Sequence, residues 1–147
     1  MDVCPVHLTD PRLAPLLAGL GAEYQARYGP GDEMSTVRGE EFEPPSGLFL
    51  ALIEDDVVLA GGGFRRLTPD VCEIKRMWTH PDHRQQGHAS TILKALEEEA
   101  RTAGYVALRL ETGPAQPEAV ALYGSRGYRR IAAYGRYARA VAFELVL

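Results

Sequence analysis

The sequence predicts an α/β protein built on a mixed β-sheet, and three features of its pattern indicate that class. Two stretches, 11–28 and 89–103, carry apolar residues at helical spacing. Segments that alternate as strands fill most of 47–79 and return at 105–111 and near the end of the chain. The resulting order, β-α-α-β-β-β-α-β-α-β-β with short connections, favours a sheet of six or seven strands flanked by about four helices.

The first helix follows a short strand-like start. Asp10 is suited to cap a helix and Pro11 to occupy its first position. The apolar face comprises Leu13, Leu16, Leu17, Leu20 and Tyr24. Residues 28–35 are rich in glycine, proline and acids, which indicates a loop, and a short second helix is expected around Thr36–Phe42.

Three strands should come next, at 47–53, 57–67 and 71–79. The first two form a hairpin around Asp55-Asp56. The triplet Gly61-Gly62-Gly63 lies inside a strand with no helix after it, which indicates a close backbone approach or a bulge instead of a dinucleotide loop. Adjacent charges at Lys75-Arg76 break the alternation of the third strand and predict a β-bulge there.

The second half of the chain repeats the alternation of helix and strand. After a polar loop at 80–88, a strongly amphipathic helix runs to a stop at Gly104. A strand at 105–111, a helix opened by Pro117 over 118–125, and two closing strands at 128–134 and 140–147 complete the chain. The apolar closing strand is a plausible homodimer edge, and a partner strand within the chain explains it equally well.

Composition narrows the class of protein. The 147 residues, 46% of them hydrophobic and 24% charged, fit a single globular domain spanning 1–147. A net charge of −4 argues against a nucleic-acid partner. Apolar runs are only strand-sized, so no membrane association is expected, and the N-terminus does not resemble a signal peptide. The two cysteines form no disulfide framework, and we expect a cytoplasmic protein.

The loop Arg84-Gln85-Gln86-Gly87-His88-Ala89 is the most informative motif. It lies between a strand and the start of the amphipathic helix. Unpaired backbone amides and the positive end of the helix dipole make such a position suitable for an anion, and Gly87 lets the backbone approach a phosphate. Because glycine before a helix is common, this loop taken alone fits an ordinary turn as well as it fits an anion site.

Together with its flanks, this loop resembles the GNAT superfamily of acyl-CoA-dependent N-acetyltransferases. The phosphate-cradling signature of that superfamily, Arg/Gln-x-x-Gly-x-Gly/Ala, is matched at 84–89. The flanking sequences EIKRMWTHPDHR, ILKALEEEARTAGY, LRLETG and EAVALYGSRGYRRI match as well, so the resemblance covers 47–134. It implies the GNAT fold and a reaction that uses acetyl-CoA as cosubstrate.

The resemblance also implies roles for individual residues. The CoA pyrophosphate would be held by Arg84, Gln85, Gln86, Gly87, His88, Ala89 and Ser90. The pantetheine arm would pair with the main chain at Met77 and Thr79. Glu73, fourteen residues before Gly87, matches the position of a general base, and Tyr123 that of the acid for the departing thiolate.

These roles suit acetyl transfer by direct attack with both reactants bound. An alkylammonium must lose a proton before it attacks a thioester, and a carboxylate can accept it. The expected acceptor is a primary amine of a small metabolite, with a peptide or protein amine as the second choice. A non-catalytic acyl-CoA-binding or sensing module and a transferase for longer acyl groups are the remaining alternatives.

Each candidate also has a structural reading. Glu73 could be salt-bridged or solvent-facing, and Tyr123 could be a core aromatic. His80, His83 and His88 lack cysteine partners, so we predict no metal site. The acids around the first helices could attract a cationic amine or be solvated: Asp32, Glu33, Glu40, Glu41 and Glu43. Residues that could line the other side of the acceptor pocket are Tyr134, Arg136 and Tyr137.

Overall fold

A computed structural model describes residues 2–28, 38–113, 116–135 and 139–147, and the strands of this part form one mixed seven-stranded sheet. In chain order the strands are β1 (Asp2–Pro5), β2 (Leu48–Glu54), β3 (Val57–Arg66), β4 (Val71–Thr79), β5 (Ala107–Thr112), β6 (Arg129–Ile131) and β7 (Val141–Val146). Their spatial order is β1-β2-β3-β4-β5-β7-β6, with β4 and β5 parallel and the other pairs antiparallel. The predicted α/β class and mixed sheet are confirmed.

Three α-helices cover the two faces of the sheet: α1 (Ala14–Tyr28), α2 (His88–Thr102) and α3 (Pro117–Ser125). On one face, α2 and α3 bury an apolar cluster that includes Ile92, Leu96 and Tyr123. On the other face, Leu16 and Leu20 of α1 pack in a second cluster with Phe49 and Trp78. Alternate residues of β2 enter the two clusters, as the two-residue period of a strand requires.

Two predicted elements need correction, and a third lies mostly outside the described residues. The helix expected around Thr36–Phe42 is a single 3₁₀ turn, Gly39–Phe42, and positions 36–37 lie outside the described residues. The described chain therefore has three α-helices where about four were expected, with 3₁₀ turns also at Pro11–Leu13 and Pro81–His83. The strand predicted over 128–134 is only Arg129–Ile131. The loop predicted at 28–35 lies outside the described residues from position 29 onward.

The glycine triplet allows close packing on both faces of β3. A Cβ at Gly61 would crowd Leu16 of α1, and a Cβ at Gly63 would crowd the ring of Phe42. On the opposite face, a Cβ at Gly62 would overlap the sulfur of Met77. These positions confirm the predicted close approach, because any larger side chain would push the helices or the neighbouring strands away.

The bulge predicted in β4 is present at Arg76. The β3–β4 register shifts between Gly61 and Gly63, and Arg76 has a φ of 61°. Lys75 therefore lies on the same face of the sheet as Glu73. Beyond the bulge, the alternation of side chains between the two faces is shifted by one residue. Among the described residues, no helix is long and apolar enough to cross a membrane.

The closing strand has partners on both sides within the chain. β7 pairs with β5 along its whole length and with β6 at residues 142–144. Partner strands within the chain therefore account for its apolar sequence. The outer strands of the described sheet are β1 and β6.

Candidate active site

The parallel strands β4 and β5 separate in the middle of the sheet. They are paired only at Val71–Ala107, Cys72–Leu108 and Glu73–Arg109, although both strands continue further. We call this opening the β4–β5 fork. It leaves the far half of β4, which includes Met77 and Thr79, without a strand neighbour on the β5 side. A peptide-like chain could therefore bind that stretch of main chain as an added strand would.

The 84–90 loop lies between the end of β4 and the start of α2. Gln85 and Gly87 have positive φ values of 63° and 81°, and the Gly87 carbonyl accepts the first helical hydrogen bond, from Thr91, at 3.1 Å. Within the described chain, the amides of residues 85–90 donate to no other group. They lie at the start of α2, the positive end of its dipole, which is a suitable position for an anion. Arg84 is tied back to the Thr79 carbonyl at 3.2 Å.

Glu73 lies at the apex of the fork, 3% exposed, and both of its oxygens are engaged. Oε1 accepts from Arg65 Nε at 3.1 Å and lies 3.0 Å from Nη2 in the same ion pair, and Oε2 accepts from the Tyr134 hydroxyl at 2.6 Å. Arg65 also binds Glu41 at 2.7 Å. We refer to Glu41, Arg65, Glu73 and Tyr134 as the Glu73 cluster. A carboxylate has about four acceptor positions, so these three donors leave one for an amine or a water molecule.

The loop before β7 is held against the sheet by Glu111 of β5. Its Oε2 accepts hydrogen bonds from the backbone amides of Tyr134, at 3.0 Å, and Gly135, at 3.1 Å. These amides bond to a side chain and not to a strand, which accounts for the early end of β6. Burial, and then the neighbouring Glu73 carboxylate, raise the pKa of Tyr134 well above its ordinary value. The hydroxyl therefore keeps its proton and is the donor to Glu73.

Tyr123 lies in the core between α3 and the sheet. Its ring is 5% exposed and packs 5.6 Å from the Tyr128 ring and 5.8 Å from the Phe143 ring, measured between centroids. Burial raises the pKa of Tyr123 above its ordinary value, so the hydroxyl keeps its proton at neutral pH. Within the described chain that hydroxyl makes no hydrogen bond. The core reading of the ring is correct, and the role of the hydroxyl as an acid stays a prediction.

Arg126 has a structural partner on a neighbouring helix. It binds Glu97 of α2 at 2.9 Å, and the Tyr128 hydroxyl donates to the same carboxylate at 2.9 Å. Glu97 is 8% exposed, so its charge is largely compensated by these two donors. The bonds connect α2 to the segment that follows α3.

The three loop histidines and Cys72 are the remaining candidates for metal binding or nucleophilic chemistry. His80, His83 and His88 form a row of ring contacts 5.2 and 6.5 Å apart, and the Nδ1 of His80 accepts from the Asp82 amide at 3.1 Å. In the described ranges, no three histidine, cysteine or acidic side chains are grouped to hold a metal ion. Burial raises the pKa of Cys72 to about 12, so this thiol is not a ready nucleophile.

Comparisons with known proteins agree with this geometry. Residues 17–128 match the family model described as the acetyltransferase (GNAT) family. The chain is 28% identical over 129 residues to the uncharacterized N-acetyltransferase YjgM of Escherichia coli, covering 83% of this chain and 77% of the relative. A solved Klebsiella pneumoniae protein, assigned as an acyl-CoA N-acyltransferase, superposes with a TM-score of 0.80 at 27% identity, covering 99% of this chain and 97% of that one.

A second solved structure shows the same fold with its cofactor. Acetyltransferase YncA of Salmonella typhimurium, solved with acetyl-CoA, superposes with a TM-score of 0.76 at 16% identity over 99% of this chain and 94% of that one. The chain belongs to the GNAT acetyltransferase family, and it is an acyltransferase. Acetyl-CoA is the cosubstrate that membership in this family implies.

Sequence reasoning missed part of the candidate site. Arg65 and Glu111 were not singled out, and Tyr134 was expected only to line the acceptor side. Arg65 faces Glu73 because the two residues are partners in the antiparallel β3–β4 register. The hairpin predicted between adjacent strands could have suggested that pair, whereas the contacts of Tyr134 cross 61 residues of sequence.

Proposed function

We propose that the protein transfers an acetyl group from acetyl-CoA to the primary amine of a small metabolite, by direct attack while both reactants are bound. The observation that carries the proposal is the β4–β5 fork, with a carboxylate at its apex and, at the end of its β4 arm, the 84–90 loop whose amides donate to no described group. The fork suits the pantetheine arm of the cosubstrate, and the loop suits its pyrophosphate.

The cosubstrate would be held mainly by the main chain. The pyrophosphate oxygens accept hydrogen bonds from the amides at the start of α2, from Gln85 to Ser90, with Arg84 and the side chains of Gln86, His88 and Ala89 around them. Met77 and Thr79 on the open edge of β4 bind the amide groups of the pantetheine arm. This arrangement brings the thioester towards Glu73, because the fork narrows to its apex there.

The chemistry then follows from the two candidate side chains. The remaining acceptor position of Glu73 takes a proton from the incoming ammonium, directly or through a water molecule. The neutral amine attacks the thioester carbonyl, a C–N bond forms and the C–S bond breaks. The Tyr123 hydroxyl gives its proton to the departing thiolate. A backbone amide near the β4 bulge, that of Met77, could stabilise the oxyanion. Positioning of two bound reactants supplies much of the rate.

Steady-state kinetics test this proposal. Release of the CoA thiol is followed with acetyl-CoA and a panel of small primary amines, varying both substrates. Direct attack predicts intersecting double-reciprocal lines, whereas a covalent acetyl-enzyme predicts parallel ones. Glu73→Gln and Tyr123→Phe should lower kcat by about 100-fold or more while leaving acetyl-CoA affinity within about twofold.

Tyr105→Phe is the matched control. It removes another hydroxyl, which donates a 2.6 Å bond to the Ser46 carbonyl away from the fork, so kcat should be retained. If all variants bind acetyl-CoA and the wild-type protein releases no thiol with any amine, the protein is a binding module and the proposal is wrong. Parallel lines would remove the direct-attack mechanism.

A further inference from the structure

The acidic residues near the acceptor side are neutralised by neighbours. Glu40 binds Arg38 at 2.9 Å, and Glu43 binds His7 at 2.8 Å. The third described member of the group, Glu41, belongs to the Glu73 cluster through its ion pair with Arg65. Asp32 and Glu33 lie outside the described residues. The three described acids therefore supply no unpaired carboxylate to attract a cationic acceptor.

Cations surround Glu73 on the same face of the sheet. Arg65 is its cross-strand partner on β3, and Arg109 is its partner on β5. Lys75 is two residues further along β4 and shares the face of Glu73. Arg65 and Arg109 each have a carboxylate partner, so Lys75 is the one of these three cations whose charge is left to meet an incoming acceptor.

Lys75 differs from the two arginines because it makes no hydrogen bond to a carboxylate of the described residues. Arg65 is bound by Glu41 and Glu73, and the Nε of Arg109 donates to Glu144 at 2.8 Å. The nearest described carboxylate oxygen to the Lys75 ammonium is Glu73 Oε1 at 3.9 Å, beyond hydrogen-bond distance. The Lys75 side chain is only 25% exposed, and it makes no hydrogen bond to a described residue. Its three donors are thus available beside the candidate base.

We propose that the acceptor is an amine that also carries a carboxylate, of the α-amino-acid class, and that Lys75 binds this carboxylate. The inference rests on the proposed function, since it assigns the substrate of the same site. In an α-amino acid the nitrogen and the carboxylate oxygens are separated by about 3 Å, from standard N–Cα and Cα–C bond lengths. Such a molecule can therefore meet Glu73 with its amine and the neighbouring Lys75 with its carboxylate.

The binding energy available from this contact is that of a charge-assisted hydrogen bond in a partly buried site. Such a bond contributes more than a neutral one, and its loss changes affinity by about 10- to 100-fold. The carboxylate would also offset the positive charge of Lys75. A neutral amide in its place would leave the Lys75 ammonium unsatisfied, so the site should discriminate against it.

Matched acceptor pairs test the inference. Initial rates of thiol release from acetyl-CoA are measured with glycine, L-alanine, L-methionine, L-phenylalanine and L-glutamate, and with the α-carboxamide of each. The wild-type protein should prefer the best free acid over its amide by at least about 10-fold in kcat/KM, through KM. Lys75→Gln should raise KM for the acid by about 10- to 100-fold and leave the amide within about twofold.

The other lysine of the chain supplies the control. Lys94 is exposed on α2, so Lys94→Gln removes the same charge and should behave as the wild type. Lys75→Arg keeps the charge and should retain the preference for the acid. Melting temperatures of all three variants separate a binding defect from a folding defect.

Three results would overturn the inference, and they differ in what they say of the proposed function. If the wild-type protein acetylates amides as well as acids, or if Lys75→Gln lowers kcat/KM equally for both, Lys75 does not bind the carboxylate of the acceptor. The proposed acetyl transfer would be unaffected by that result. If no acid or amide is acetylated, although other amines are, the acceptor class is wrong. If no amine of any kind is acetylated by a protein that binds acetyl-CoA, the proposed function fails together with the inference.

Discussion

Tyr134 and Glu73 are joined by a 2.6 Å hydrogen bond between the phenol hydroxyl and Oε2 of the carboxylate. The bond connects the loop before β7 to the apex of the fork. Arg65 occupies the other carboxylate oxygen, so the two residues together fix the orientation of the candidate base. A carboxylate held in this way presents a defined lone pair to an acceptor, which is what a positioned base requires.

Removing this hydrogen bond should impair turnover more than stability. We expect Tyr134→Phe to lower kcat/KM by about 10- to 100-fold, because Glu73 loses one of the donors that orient it. The measurement is thiol release at saturating acetyl-CoA. Tyr105→Phe, which removes a bond of the same 2.6 Å length in the core, should lower the melting temperature and keep the activity. Equal activity loss in the two variants would contradict an orienting role for Tyr134.

Glu111 should act through Tyr134. Its carboxylate binds the amides of Tyr134 and Gly135, so Glu111→Ala releases the loop that carries the tyrosine. We expect a loss of kcat/KM of the same order as in Tyr134→Phe. In a double-mutant cycle, the combined variant should be little worse than either single one, since both remove the same contact to Glu73. Additive losses would show that Glu111 and Tyr134 act independently.

Glu97 should be a stability residue. It holds Arg126 and the Tyr128 hydroxyl, and Glu97→Ala would leave both donors without their carboxylate in a mostly buried site. We expect the free energy of unfolding in urea to fall by about 2–4 kcal/mol. Its neighbour Glu98 is exposed on the same helix, and Glu98→Ala should change the free energy by less than about 0.5 kcal/mol. Similar effects of the two substitutions would argue against this buried network.

The His7–Glu43 pair should make stability depend on pH. The hydrogen bond from His7 and the charge of Glu43 raise the pKa of His7 above its ordinary value. A histidine whose pKa is raised by folding stabilises the folded state below its unfolded pKa of about 6.5, and that contribution is lost as the pH rises through the folded value. The melting temperature of His7→Gln should therefore fall below that of the wild type near pH 5.5 and approach it near pH 8.5. Glu43→Gln should likewise melt below the wild type near pH 5.5 and approach it near pH 8.5. A difference in melting temperature that grows with pH would contradict the role of the His7–Glu43 pair.

Local pattern was enough for most of the fold. The helices α1 and α2 are long enough to display their apolar period, and the bulge at Arg76 was visible as two adjacent charges. The 3₁₀ turn at Gly39–Phe42 is too short for any period to distinguish it from an α-helix. The early end of β6 depends on Glu111, a side chain from another strand. Neither of these last two features has a local sequence signal.

The candidate site divides in the same way. The 84–90 loop could be predicted because its chemistry depends on consecutive residues at one helix start. The environment of Glu73 could not, because Glu41, Arg65 and Tyr134 come from three separate parts of the chain. That the Lys75 ammonium has no hydrogen-bonding partner among the described residues is likewise visible only once the contacts of its neighbours are known.

Acetyl-CoA binding to the 84–90 loop tests the central claim most directly. Thermal unfolding is measured with acetyl-CoA, CoA, ATP and NAD, for the wild type, for Ala89→Asp and for Lys94→Glu. At a hundred times its Kd, acetyl-CoA should add about 2.7 kcal/mol, a rise of about 5–10 °C. Ala89→Asp places a carboxylate in the first turn of α2, where it suits the helix dipole and repels a pyrophosphate, so that variant should melt normally and lose the response. Lys94→Glu, further along the same helix, should keep it. If the melting temperature of the wild type rises with acetyl-CoA and CoA but not with ATP or NAD, the claim that this loop binds the cosubstrate is supported. No rise with either CoA species at millimolar concentration, or an equal rise in Ala89→Asp, would contradict it.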